Sequence, residues 1–344
     1  MRRLPTVLIL TGFVATLFLA TAAVGDTTTT TGPSTTTAAH TTTTLQHVAK
    51  VARAPLTGLP DPQRRTRHRS ALTIKIENTP EARPQWGIEH ADVVYEEICE
   101  GGITRLAAVF NSQLPLKVGP VRSVRRTDRE IVYPLGGIFA FSGGAQYALA
   151  SIATAPVKTF DQFNSGSAMF RDPKRYAPHN LYANAVLLMA KHGRPRPPHA
   201  LFTYITRPTR PRGPRVRSFV VGFGAGYATT FDWNPRTTSW DRSIFGRPDV
   251  SAAGVRLSPR TVIVMSVQYQ GGLGVIGSEA VLTGSGPAEI FSRGTVQRAR
   301  WFHSKIQRPI AYRAASGRVI AIKPGQTWVE LLDVSEHVMI QTAK

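Results

Sequence analysis

The sequence predicts an α+β protein: an N-terminal mixed α/β domain over residues 51–195, followed by a smaller β-rich domain over 218–344. Three observations lead there. Strand-like and helix-like runs alternate in the first part, short β-branched or aromatic runs punctuated by Gly, Pro and Asn fill the second, and a Pro/Arg-rich boundary region over 196–217 separates them. The chain has 344 residues and 42% hydrophobic content, enough for a sizeable core. Its 42 Lys and Arg against 21 Asp and Glu give a formal charge of +21. A single cysteine excludes an internal disulfide framework and a Cys-rich zinc site.

At the start of the chain, Arg2 and Arg3 precede an apolar run over 4–20 and then small residues to Gly25, which is the order of a secretory signal peptide or, left uncleaved, of a signal anchor. Residues 26–50 form a Thr-rich stretch with twelve threonines between Asp26 and Thr44. Such a run cannot bury enough surface to offset its ordering entropy and reads as a flexible stalk, open to glycosylation. Residues 1–45 hold only Arg2, Arg3 and Asp26 as charges, so the positive charge belongs to residues 46–344.

Leu72–Glu77 alternates apolar and polar residues, the period of a half-buried strand. Residues 138–141 read as a short strand, Ser142-Gly143-Gly144 as a turn offering backbone donors, and 145–155 as a helix ended by Pro156. Asn180 is placed to cap a helix running to His192, with Gly193 as its stop. From Pro173 to Phe231 there is no acidic residue but ten Lys or Arg, so the surface of this segment is one-signed. A short run at 201–205 interrupts its prolines. Beyond it, 219–223, 261–269, 288–292, 295–301 and 318–322 read as strands, with hairpin turns at Arg293-Gly294 and Pro324-Gly325. Trp240, Trp301 and Trp328 fit either the core or sugar stacking.

The run from Asp92 to Asn111 carries the most chemistry. Two strand-like runs, 93–100 and 103–110, flank Gly101-Gly102, a two-residue hairpin signal. That turn sets Ile98 opposite Arg105, with Glu96 and Glu100 on the same face and the guanidinium diagonal to both. The grouping is either an ion-pair ladder on a solvated sheet or an acid/base pair; four strand residues span about 13 Å, so catalysis requires converging side chains. Cys99 falls on the other side of the hairpin, toward the core.

Several motifs in register resemble the YerB-like family of bacterial envelope lipoproteins. They are Ala82-Arg83-Pro84-Gln85, Ala91-Asp92-Val93-Val94-Tyr95-Glu96, Glu100-Gly101-Gly102-Ile103-Thr104-Arg105, Gly119-Pro120-Val121-Arg122-Ser123-Val124-Arg125 and Ala177-Pro178-His179-Asn180-Leu181-Tyr182. Gly284-Ser285-Gly286-Pro287-Ala288, Trp301 and Lys323-Pro324-Gly325-Gln326-Thr327-Trp328 are similar to the family's second, β-rich portion. The resemblance implies a two-part extracytoplasmic protein. No cysteine stands near the signal of this sequence, so the expectation is secretion or peptide anchoring to the plasma membrane without lipidation at cysteine.

After Gly119-Pro120, Arg122, Ser123, Arg125 and Arg126 precede Thr127-x-x-Glu130, a capping-box pattern at a helix start. The arginines form either an anion site or a structural network with Glu96, Glu97 and Glu100. His179-Asn180, read at a helix start, is either a neutral proton acceptor or a histidine fixing its turn, with Arg171 and Arg175 close in sequence. No His or acid recurs at ligand spacing, so neither a metal nor a cofactor is expected. The charge points to an anionic wall polymer, glycan or membrane surface as partner; nucleic acid is not expected, since no docking motif appears and the leader points to export. Arginine-rich composition alone accounts equally for the charge.

The expected site is therefore one polar cleft, with Glu96, Glu100 and His179 as catalytic candidates and Arg105, Arg122, Ser123, Arg125, Arg171 and Asn180 as ligand-binding candidates. It either hydrolyses or transfers an anionic envelope polymer, or serves a non-catalytic binding or scaffolding module.

Overall fold

The structure is a computed structural model that describes residues 51–191, 195–224 and 226–343. The leader over 1–25, the Thr-rich stretch over 26–50, and His192 and Gly193 lie outside the described residues. Strands make up 38% of the chain and helices 12%, so it is more β-rich than the expected α+β class.

Seven strands belong to the first part: β1 Leu72–Glu77, β2 Val93–Ile98, β3 Thr104–Phe110, β4 Ile138–Ala140, β5 Lys158–Phe160, β6 Met169–Arg171 and β7 Leu181–Ala183. Three short helices accompany them, α1 Asp128–Val132, α2 Gln146–Ile152 and α3 Ala185–Ala190. The rest is strand: β8 Thr203–Tyr204, β9 Val216–Gly222, β10 Ala228–Asn234, β11 Ser239–Ile244, β12 Arg247–Pro248, β13 Thr261–Val267, β14 Tyr269–Gln270, β15 Glu279–Ala280, β16 Gly284–Ser292, β17 Thr295–His303, β18 Ala311–Arg313, β19 Ala321–Ile322, β20 Thr327–Asp333 and β21 Met339–Thr342.

A ten-stranded sheet in the order β18-β17-β16-β13-β20-β2-β3-β1-β4-β5 joins both parts. The seam is a parallel pairing of β20 with β2, and β20 also pairs in parallel with β13. Trp328, Val329, Leu331 and Leu332 are all buried, as a central strand covered on both faces requires. Pro324-Gly325 is thus not a hairpin turn but the entry to this parallel strand. Arg293-Gly294 does make a two-residue hairpin, with Ser292 opposite Thr295 and both turn residues at positive φ. A second sheet, β12-β11-β10-β9-β21, lays Phe219 and Trp240 against Phe291 of the large sheet, with the Phe219 and Phe291 rings stacked 3.6 Å apart and Phe231 stacked on Phe219. Trp240, Trp301 and Trp328 are core residues, buried to 4% exposure or less.

Two local expectations change. The β2–β3 hairpin forms, but Glu100–Gly102 is a 3-10 turn and the register pairs Ile98 with Thr104 and Glu97 with Arg105. A shift of one residue moves every side chain to the other face relative to its partner, so Arg105 shares a face with Glu97 rather than Glu96. The segment after Asn180 is β7, paired with β6, and the helix begins only at Ala185, where Asn184 accepts from the Leu187 N–H. The capping box does not close either: Thr127 Oγ1 accepts from Ala280 N and Glu130 Oε2 from Leu282 N, both in the second part of the chain.

Candidate functional site

The register of β1, β2 and β3 collects Lys75, Glu77, Glu97 and Arg105 on one face of the sheet. All four are buried. Lys75 Nζ donates to Glu97 Oε1 and, at 2.7 Å, to Asp128 Oδ1, while Asp128 Oδ2 accepts from Arg125 N at 2.7 Å. Burial pushes the Asp128 carboxyl up to about 6, opposed by Lys75 and reinforced by Glu97. Burial works against the charge on Lys75, but Asp128 and Glu97 outweigh it and raise its pKa.

The segment from Gly119 to Arg122 is held between two strands. Glu77 N donates to Pro120 O, Arg122 N to Lys75 O and Val121 N to Leu181 O. Gly119 has φ +143, and a Cβ there would stand 2.8 Å from Val121 N and 2.9 Å from Leu181 O, so only glycine fits. The peptide bonds before Pro120 and Pro178 are both cis.

This scaffold aims three arginines at one cavity. Arg122 Nε lies 2.9 Å from Glu77 Oε1, and His179 Nδ1 lies 2.9 Å from the other oxygen, Glu77 Oε2. Arg125 forks onto Glu100, with Nε 2.9 Å from Oε2, and its Nη1 also donates to the Ser123 and Val124 carbonyls. Burial disfavours the charged form of Glu100, yet Arg125 outweighs it and holds the carboxyl below the ordinary glutamate value. Arg171 instead donates to two amide oxygens, Asn180 Oδ1 at 2.6 Å and Gln162 Oε1 at 2.8 Å. It makes no ion pair among the described residues. Nor does Arg105, which is 3% exposed and has one long hydrogen bond, 3.4 Å to Thr104 O; its charge lowers the pKa of both Glu100 and Arg122.

The cavity has a volume of about 610 Å3 and is lined by Glu100, Arg122, Ser123, Arg125, Ser142, Gly143, Gly144, Gln162 and Arg171 among others. Ser123 Oγ lies 3.4 Å from Ser142 Oγ. Tyr147 and Phe163, 40% and 84% exposed, add aromatic wall, and Ile276 comes from the second part of the chain. Lys75, Arg105, Arg122, Arg125 and Arg171 stand against four carboxylates, Glu77, Glu97, Glu100 and Asp128, which leaves one positive charge in excess, and Arg171 and Arg105 are the two of these cations without an ion pair among the described residues.

Of the expected residues, Glu100, Arg122, Ser123, Arg125 and Arg171 line this cavity. Asn180 supports it through Arg171, and Arg105 lies buried behind. His179 is set back, half-buried on Glu77, and because β7 follows it no helix start acts on its ring. Glu96 is not part of the site. It is fully buried on the opposite face, where its carboxylate accepts from Arg242 Nη2 at 2.7 Å, Asn78 Nδ2 at 2.9 Å and Thr104 Oγ1 at 2.7 Å. Sequence reasoning did not single out Glu77, Asp128, Gln162, Tyr147 or Phe163. The alternation Thr73-Lys75-Glu77 reads as the solvated face of a half-buried strand, but all six residues of β1 are buried because Lys75 and Glu77 find charged partners on neighbouring segments; an aromatic in the polar run 161–164 carries no signal either. Among the described residues no three His, Cys, Asp or Glu side chains come together as a metal site.

Two family models match the chain in order, "Protein of unknown function (DUF3048) N-terminal domain" over residues 56–195 and the corresponding C-terminal domain over 219–329. "Putative lipoprotein YerB" of Bacillus subtilis (strain 168) is 40% identical over 139 residues, a match spanning 40% of this chain and 41% of that protein. The crystal structure of YerB from Bacillus subtilis superposes with a TM-score of 0.74 over 84% of this chain and 99% of that one, at 23% identity, and so shares its fold. With both halves matched in sequence and in fold, the chain belongs to the DUF3048 family, the family of YerB.

Proposed function

We propose that this is an exported cell-envelope protein whose Arg122/Arg171 cavity holds an anionic group, phosphate or carboxylate, of an envelope polymer or glycan. The name of its lipoprotein relative supports the envelope as location. The observation that carries the binding reading is Arg171: a guanidinium positioned by two neutral amides, with no carboxylate partner among the described residues, on the wall of a hollow that also bears hydroxyls. Guanidinium forks match phosphate and carboxylate geometry, and the charge left over favours an anion. Tyr147 and Phe163 offer flat apolar faces on which a sugar ring packs.

Binding is favoured over hydrolysis because the expected acid pair is dismantled. Glu96 is sealed on the far face, and Glu100 is held charged in the Arg125 fork, where it cannot serve as a general acid. Calorimetric titration of the full chain with glucose 6-phosphate and with glucose tests the proposal. The phosphorylated sugar is expected to bind, the neutral one not, and Arg171→Ala and Arg122→Ala each to weaken binding about tenfold or more, the weight of a charge-assisted hydrogen bond. Equal binding of both sugars, or an unaffected Arg171→Ala variant, would remove the anion site.

A further inference from the structure

The parallel strands β2, β13 and β20 end near the cavity and begin at a second constellation that has no part in it. Arg260 precedes β13, Lys323 precedes β20, and both face a cleft of about 740 Å3 together with Arg53 and Arg256. A second cleft of about 490 Å3 is walled by Arg293, Arg318 and arginines of the Pro/Arg-rich segment, Arg210 among them. A third, of about 460 Å3, shares Arg53 with the first and Tyr204 with the second. Ten Lys or Arg side chains line the three clefts against one carboxylate, Glu89, and none of the ten forms an ion pair among the described residues. At the centre, Lys323 Nζ and Arg260 Nη1 converge on the same neutral hydroxyl, Thr238 Oγ1, the second at 2.8 Å. Burial and the charges of Arg260 and Arg293 together lower the Lys323 pKa. Cations gathered this closely repel one another unless a mobile anion joins them.

We propose that these neighbouring clefts are a second anion site, which takes a linear polymer with repeating phosphate groups laid along them. The shape selects a strand: a bilayer surface meets only protruding side chains, whereas three neighbouring hollows that share Arg53 and Tyr204 in their walls offer successive seats to a flexible chain. The chemistry selects phosphate, which arginine forks grip two oxygens at a time. Single-stranded nucleic acid is disfavoured because its binders stack bases on exposed aromatic rings, and the Tyr204 ring here lies over Gly58 and against Phe202. The proposal stands apart from the function of the Arg122/Arg171 cavity.

Full-length protein in detergent, titrated with labelled linear inorganic polyphosphate, tests it. Four phosphate contacts predict an affinity falling about 50-fold between about 50 and about 200 mM salt. Lys323→Gln and Arg260→Gln are each expected to weaken binding about tenfold, and Arg171→Ala to leave it unchanged. Thermal melting checks folding; should Arg260→Gln melt early, the exposed Arg210→Gln and the half-exposed Arg256→Gln carry the same expectation. Salt-independent binding, undiminished affinity in the cleft variants, or an equal loss in Arg171→Ala would overturn the site. Tighter binding of a single-stranded oligonucleotide of equal charge would overturn the polymer class.

Discussion

Asp128 and Glu330 carry the clearest consequences of burial at single residues. The folded Asp128 carboxyl titrates near 6 against an ordinary value of 3.8. The folded state therefore binds its proton more tightly, and the stability this contributes is full below the ordinary carboxylate range and is lost as pH rises through about 6. Denaturant melts between pH 4 and 7 should show that decline, and Asp128→Asn should flatten it; an unchanged slope would place the titration elsewhere. On the other face, Arg242 bridges Glu96 and Asp249 with its guanidinium 4.4 Å from the Trp328 ring, and Glu330 stands beside Glu96 in the parallel register. Burial and the Glu96 charge push the Glu330 carboxyl well above its usual range, which favours its protonated form. Glu330→Gln should accordingly change stability by less than about 1 kcal/mol, whereas Arg242→Ala should cost about 3–5 kcal/mol because it strands buried carboxylates. Urea unfolding separates the two, and equal losses would contradict a carboxyl raised by burial and Glu96 at Glu330.

Elements were legible where local pattern decides them and misread where pairing does. β1 and the Arg293-Gly294 turn were readable because alternation and left-handed turn residues are local signals. The helix expected from Asn180 lost Leu181–Ala183 to pairing with β6, a contact no periodicity in 180–192 reveals. The hairpin register slipped by one because Gly101 and Gly102 both have positive φ inside a 3-10 turn, lengthening the loop by an unforeseen step. That one step separates Glu96 from the site while leaving Glu100 in it. Gly119 tests the element that aims Arg122: Gly119→Ala should destabilise by about 1–3 kcal/mol and weaken phosphate-sugar binding, since both strain and backbone clash apply. Gly101→Ala, with nothing within 4 Å of its Cβ, should cost only the left-handed conformation, about 1 kcal/mol. Matching losses in the two would show that the close approach at Gly119 is not what holds the loop.

Across the whole molecule, the two family segments are bound by one sheet. β20 brings Val329 beside Tyr95 and Glu330 beside Glu96, and Arg242 crosses from the smaller sheet to the same pair. A chain ending before β20 exposes the β2 edge and strands Glu96, so residues 51–195 expressed alone should aggregate or lack sharp melting, and co-expression with 196–344 should restore a cooperative transition. Independent cooperative folding of both pieces would contradict the shared sheet as their source of stability. The cavity depends on the same union, since Ile276 lines it and Gly274 O accepts from Gly101 N at 2.8 Å. The sequence could bring Arg122, Arg125 and Glu100 to notice by type and spacing, but which charge remains unpaired is decided only when distant strands meet. The most direct measurement is a crystal structure of the full chain soaked with glucose 6-phosphate. Density for the phosphate between Arg122 and Arg171 is predicted; density confined to the Arg260/Lys323 clefts, or none in the cavity at saturating sugar, would contradict it.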